Sequence, residues 1–166
     1  MSYDPNPQFD PNDFSVHDAH CHCGAIAYTV KLSPSIATHK VTRCNCSICR
    51  RNGFLCVYVS RAQVQFSRGW DEAKRYRFGN MNVDHVFCGT CGSSLLVDTR
   101  RWWKGRDFLA MNVRFFKDVT DFDKLNYREY DGASFKPNAT APLDDSGCWY
   151  DKQQDWTKVE ENPFYP

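Results

Sequence analysis

Apolar residues alternate with polar ones over short stretches, at strand period rather than helix period. Ile26, Tyr28, Val30 and Leu32 share one face of an extended segment over residues 25–32, which predicts a half-buried strand. Ser33-Pro34-Ser35 breaks it, and residues 39–43 lead into a cysteine-rich loop. Residues 54–59 (FLCVYV) form a continuous apolar run of strand length, which predicts a strand buried on both faces. Residues 63–66 and 75–78 alternate, with turns expected at 67–69 and 79–80. Residues 83–87 deliver the chain to Cys88-Gly89-Thr90-Cys91-Gly92, and a strand is expected at 94–98. Residues 108–115 place Leu109, Met111, Val113 and Phe115 on one strand face. A short helical turn is expected within 117–125, and a last strand and turn at 127–132.

The sum is about seven short strands with little helix, a mainly β fold. Both ends lack this patterning. Residues 1–16 hold three prolines, three aspartates and two asparagines without apolar periodicity. They predict a flexible arm, or an extended strap if Phe9 and Phe14 dock on the body. Residues 133–166 hold four prolines and scattered aromatics and predict an extended C-terminal wrap. The organised part is therefore residues 17–132, one domain by size.

Charge changes the picture by exclusion. A net charge of +1 lacks the basic excess of a general nucleic-acid footprint and argues against such a partner. No apolar run reaches the ~18 residues of a membrane span. The first residues lack a basic segment followed by an apolar one, so the expectation is a reducing compartment, cytoplasmic or nuclear.

In that setting nine cysteines need an explanation other than a disulfide framework, and their C-x-C and C-x-x-C spacing points to metal. Cys21 and Cys23 precede one strand; Cys88 and Cys91 follow another. Two such pairs make a closed four-thiolate zinc site. Gly89 and Gly92 beside the second pair allow the positive φ of a metal knuckle. Cys44, Cys46 and Cys49 leave a second zinc with three ligands. Either Cys56, Cys148 or one of the five histidines closes it as a structural site, or its fourth position stays open to water or substrate. Zinc with three thiolates carries a formal charge of about −1 and suits a soft thiolate better than hydroxide. Arg50 and Arg51 follow directly and are candidates for binding substrate carboxylates. Asn45 and Ser47 are candidates for contacting sulfur or substrate.

The arrangement C-x-C-G, then C-x-C-S-x-C-R-x-x-G, then F-C-x-x-C-G-x-x-L resembles the glutathione-dependent formaldehyde-activating enzyme family. Seven cysteines coincide, with Gly24, Ser47, Phe87 and Gly92. Ala110-Met111-Asn112-Val113-Arg114 and Tyr130-Asp131-Gly132 also resemble family features. The segment Cys44-Asn45-Cys46 is closest to the eukaryotic branch, which includes centromere protein V and many fungal proteins. Many bacterial members carry histidine where this chain has Asn45. The resemblance implies a β-tent fold and two zincs per chain, one structural (Cys21, Cys23, Cys88, Cys91) and one catalytic (Cys44, Cys46, Cys49). It also implies a carbon–sulfur lyase that joins glutathione to formaldehyde, giving S-(hydroxymethyl)glutathione. The partner expected is thus a small thiol such as glutathione. The competing class is a non-catalytic zinc-stabilised module that binds a protein or chromatin.

The remaining chemistry-bearing residues carry weaker signals. Cys56, inside an apolar strand, reads as a buried inert thiol, and Cys148 as a free one. His22 lies between two ligands and reads either as an orienting contact or as an exposed side chain. The irregular pattern around His85 assigns it no role. Trp102 and Trp103, in a basic loop, read as ordinary loop packing ahead of a substrate lid.

Overall fold

The computed structural model describes residues 8–78, 83–99 and 108–134. Among them the chain forms ten strands in two sheets and one short α-helix. The smaller sheet joins β1 (Ser15–His20), β2 (Ala27–Leu32) and β5 (Val64–Arg68), all antiparallel. The larger sheet has the order β10-β3-β4-β9-β8-β7-β6. Its strands are β3 (Val41–Cys44), β4 (Cys56–Ser60), β6 (Ala73–Tyr76), β7 (Asp84–Cys88), β8 (Ser94–Asp98), β9 (Phe108–Asn112) and β10 (Tyr127–Tyr130). All neighbours in it are antiparallel except β10 and β3, which run parallel. The helix α1 (Ser47–Asn52) lies in the β3–β4 connection.

The period-two stretch folds as predicted: Tyr28, Val30 and Leu32 are buried. The mainly β expectation holds, with ten described strands where about seven were expected. Two of the additional strands had no sequence pattern. β1 reads Ser-Val-His-Asp-Ala-His, and its buried positions are His17 and Ala19, not large hydrophobes. β3 spans four residues and buries Val41 and Thr42, too short for a period to register. α1 is a six-residue helix without a buried residue, so no apolar stripe marks it.

Other expectations shift. Ser67 and Arg68 belong to β5, so the turn falls at Gly69. There φ is +74° and a side chain would meet the Ala25 carbonyl oxygen at 1.9 Å, so the backbones touch only because the residue is glycine. The strand expected over 108–115 stops at Asn112, where Val113–Phe115 turns as a 3₁₀ helix. All five β9 residues are buried, because Leu109 and Met111 face the main core while Ala110 packs with Phe54 and Cys56 on the other side. The short helical turn expected within 117–125 is a 3₁₀ turn at Phe122–Lys124. Residues 8–14 are tied down by polar contacts: the Asp10 amide donates to Ser33 Oγ (2.9 Å) and the Ser35 amide to Asp13 Oδ1 (3.0 Å). Phe9 and Phe14 stay exposed and pack on each other. The Trp102-Trp103 loop, Cys148 and the wrap from residue 135 lie outside the described residues. None of the described helices is long and apolar enough to cross a membrane.

Two polar pins cross the packed layers. His17, buried in β1, stacks on Phe116 at 4.7 Å and binds Asp118 through Nδ1 at 2.9 Å. Arg61, after β4, forms a two-pronged pair with Asp98 at the end of β8, at 2.8 and 3.0 Å, with both side chains fully buried. Asp98 lies opposite Asp84 across β7 and β8, and Asp84 is held by Arg77. Removing one partner strands a buried charge, which costs about 3–5 kcal/mol, whereas replacing both with apolar residues is often near neutral. Arg61→Ala is therefore expected to lower unfolding free energy in urea by about 3–5 kcal/mol, and the Arg61→Met/Asp98→Leu double variant to recover most of that loss.

Candidate metal centres and the adjoining pocket

Four cysteines meet where two hairpins abut. Cys21 and Cys23 sit in the β1–β2 turn, Cys88 at the end of β7, and Cys91 in the β7–β8 turn. Their sulfurs all lie within 4.8 Å of one another. Cys21 and Cys23 are 3.6 Å apart and Cys23 and Cys88 are 3.8 Å apart. Tetrahedral zinc with Zn–S of about 2.3 Å requires sulfur–sulfur edges of about 3.8 Å, so the donor set fits that ion. Gly92 has φ of +74°, the expected knuckle conformation, and Gly24 shares it at +75°. Gly89 lies outside that region and is fixed instead by its close approach to the Glu72 carbonyl oxygen, 2.8 Å from an added Cβ.

Backbone and hydroxyl donors surround this cluster. The Ile26 amide donates to Cys21 Sγ at 3.2 Å. Ser93 Oγ lies 3.2 Å from Cys91 Sγ and accepts from the His22 amide at 3.0 Å. The Ser93 hydroxyl, first among the causes, holds the Cys91 thiol down to about 5. His22 thus supports the cluster through its backbone. This four-cysteine set joins a turn of the smaller sheet to a turn of the larger one.

Cys44, Cys46 and Cys49 form a second group, their sulfurs also within 4.8 Å of one another. Cys44 ends β3, Cys46 is the N-cap of α1, and Cys49 lies one turn in. The helix sets this spacing, since positions three apart share a face. No other Cys, His, Asp or Glu among the described residues joins the group. Cys56 lies beneath it, buried with Phe54 and Ala110, and Cys49 packs on that floor. Hydrogen bonds among the three sulfurs set their acidities apart. Those from Cys44 and then Cys49 drive the pKa of Cys46 far down, while Cys44 is driven up, first by its bond with Cys46. A divalent cation is what lets all three ionise together.

The neighbours of this cluster account for the family-like segments outside it. Gly132 passes so close that an added Cβ would lie 2.5 Å from Cys44 Sγ and 3.1 Å from Cys46 Cβ. Asn45 holds that strap: its Nδ2 donates to Asp131 Oδ1 (2.7 Å) and its Oδ1 accepts from the Ala133 amide (2.8 Å). Asn112 Oδ1 accepts from the Leu55 amide (3.3 Å) and its Nδ2 donates to Ser94 O (3.0 Å). Arg114 donates to the carbonyl of Gly53, the left-handed residue that ends α1, at 2.6 Å. Ser47, Arg50 and Arg51 are exposed on α1. Arg51 folds back to the Ser47 carbonyl at 3.0 Å.

A cavity of about 390 Å³ opens against the same helix. Ile48, Phe54, Tyr76 and Phe87 supply apolar walls, and Asn52, His85 and Ser94 the polar side chains. His85 is the residue that sequence reasoning missed. It is 7% exposed, and its Nδ1 has no hydrogen-bond partner. Phe78 stacks on its ring at 5.3 Å and Phe54 meets it edge-on at 6.4 Å. Burial pulls its pKa below the usual imidazole range, and the nearby charge of Cys46 opposes that. Only the position of β7 between β6 and β8 reveals the role of this face; the alternation around His85 carried no such signal.

Residues 16–122 match the family described as glutathione-dependent formaldehyde-activating enzyme. The fold is also similar to a crystal structure of a Rhodobacter sphaeroides protein, with a TM-score of 0.56 and 28% identity, covering 64% of this chain and 93% of that one.

Two variants separate the clusters. A structural zinc contributes roughly 10–16 kcal/mol of apparent binding free energy, comparable to whole-domain stability. Cys88→Ser is therefore expected to abolish cooperative folding by circular dichroism. Gly132→Ala places a methyl against Cys44 and is expected to stay folded while bound zinc, measured by elemental analysis, falls from about two per chain to about one.

Proposed function

This chain belongs to the glutathione-dependent formaldehyde-activating enzyme family, and we propose from that premise that it is a zinc-dependent carbon–sulfur lyase. Its reaction is the reversible joining of a small thiol, glutathione in the first instance, to formaldehyde, giving S-(hydroxymethyl)glutathione. The observation that carries this reading is the three-sulfur group without a fourth protein donor among the described residues. When bound there, zinc supplies a fourth position for a soft ligand and favours the ionised form of a thiol.

The rest of the work falls to the chain. α1 fixes Cys46 and Cys49 while β3 fixes Cys44, so the three donors are held before any substrate arrives. Gly132 and the Asn45–Asp131 clamp close one side of the group. Arg50 and Arg51, exposed on the same helix, provide positive charge for the carboxylates of a glutathione-like thiol and offset the thiolates. The sulfur then adds to the carbonyl carbon, and the proton released by the thiol ends on the new hydroxyl. Holding both partners together is the main source of acceleration. Asn45 serves here by holding the loop rather than by contacting substrate.

Glutathione and formaldehyde also combine in free solution, so the test must measure exchange above that background. Two-dimensional exchange NMR on ¹³C-formaldehyde and glutathione at equilibrium is expected to show faster interconversion with the two-zinc protein. Cys49→Ser, with the four-cysteine cluster intact, is expected to return the rate to the protein-free value. An unaccelerated rate with both zincs present would transfer the chain to the non-catalytic binding class.

A further inference from the structure

The cavity beside α1 is out of scale with formaldehyde, whose two heavy atoms need far less than 390 Å³. That volume falls in the range of about 300–1,000 Å³ typical of small-molecule pockets. Its lining also mismatches glutathione. No Asp, Glu, Lys or Arg lines it among the described residues, whereas glutathione carries two carboxylates and an ammonium that would have to be desolvated there. The walls are ring-shaped and apolar instead: Phe54, Tyr76 and Phe87, with Ile48 from the helix.

Three polar side chains break this wall, Asn52, His85 and Ser94, and of these His85 is the buried one. His85 is more than nine-tenths buried and is held by Phe78 and Phe54 through ring packing. Its Nδ1 has no partner in the protein. Leaving a buried polar atom unsatisfied is unfavourable, and such atoms are few among the described residues. The ring lines the cavity, and its unpaired Nδ1 is covered from solvent, so a guest reaches that nitrogen through a small turn of the ring. Ile48 and Asn52 bring the cavity to the helix that carries Cys49.

We infer that this cavity is the subsite for the carbonyl partner, that the partner is an aldehyde bearing an apolar, ring-sized substituent, and that His85 hydrogen-bonds to its oxygen. The inference rests on the thiol-addition reading for the reaction, and on the cavity alone for the substrate class. In the step, the thiol sulfur forms a bond to the carbonyl carbon and the C=O π pair moves to oxygen. That oxygen receives the proton the thiol gives up, so one thiol and one aldehyde become one hemithioacetal. His85 is a positioning and hydrogen-bonding residue for that oxygen, and the charged ends of the thiol stay outside, on the arginine side of α1.

The test uses the zinc-loaded full chain and two kinds of probe. S-methylglutathione and S-benzylglutathione are compared by titration calorimetry. Benzaldehyde and formaldehyde are compared by their effect on the ¹⁵N resonances of the His85 ring, assigned with a His85→Phe variant. The expected result is benzyl binding about tenfold or more tighter than methyl, reduced by Tyr76→Asp at the cavity wall. Benzaldehyde is expected to shift the ring saturably, and formaldehyde at equal concentration much less. Equal affinity for the two S-alkyl compounds with an unmoved ring overturns the subsite and leaves the glutathione reading standing. No binding of either tripeptide or of free glutathione, with a saturable benzaldehyde shift, supports the subsite and overturns glutathione as the thiol. Silence of all probes overturns both.

Discussion

The contact on which the rest of the molecule depends is the meeting of two hairpin turns at Cys21, Cys23, Cys88 and Cys91. The smaller sheet has three strands and the larger one seven, and this cluster fastens one to the other at residues 65 apart in sequence. Closing so long a segment is entropically costly but only slowly more so with length. A metal ion held by all four thiolates would offset that cost several times over. With the sheets fixed, β7 is locked between β6 and β8, and its outward residues His85 and Phe87 become a wall of the cavity. The staple thereby sets the shape of a site in which it takes no chemical part.

The second cluster obeys a different constraint. Its three sulfurs are local, supplied by one strand end and one helical turn, but their surroundings are not. The floor comes from β4 and β9 through Cys56, Phe54 and Ala110. The end of α1 is closed by Gly53 and Arg114, and the open flank by the strap at Gly132. β9 is buried on both faces because it serves two layers at once, the main core and this floor.

Those facts also explain what could be read from the chain beforehand. Metal-ligand spacing is local, so both cysteine groups were legible, as were the knuckle role of Gly92 and the strands with clean alternation. The mainly β class followed from the same period. β1 escaped because its buried face holds a histidine and an alanine, and β3 because four residues carry no period. α1 escaped because a six-residue helix with no buried side chain has no amphipathic stripe. The position of Asn45 in the loop makes it a candidate for contacting sulfur or substrate, while its side-chain hydrogen bonds to Asp131 and Ala133 run across the fold and carry no local signal. His85 was illegible for a related reason. A buried imidazole without a partner is defined by what surrounds it in space, and Phe54, Phe78 and Tyr76 come from separate strands or connections.

The division between the clusters is therefore one of ligand count and of sequence distance, and the two run in opposite directions. The closed cluster draws its ligands from far apart and relies on little beyond its own turns for geometry. The three-sulfur cluster draws its ligands from six consecutive residues, and its cradle comes from the other end of the described chain. β10 pairs in parallel with β3, with Tyr130 beside Cys44, and the chain then lays Asp131 and Gly132 against the sulfurs. Parallel pairing needs a long return and is less favourable per residue than antiparallel pairing, so this flank depends on β10 returning across the fold to pair with β3. A thiolate cluster assembled before that flank arrives would lie open to any soft cation or oxidant. Laying its last wall down with this returning strand leaves the three sulfurs half-buried rather than exposed on every side.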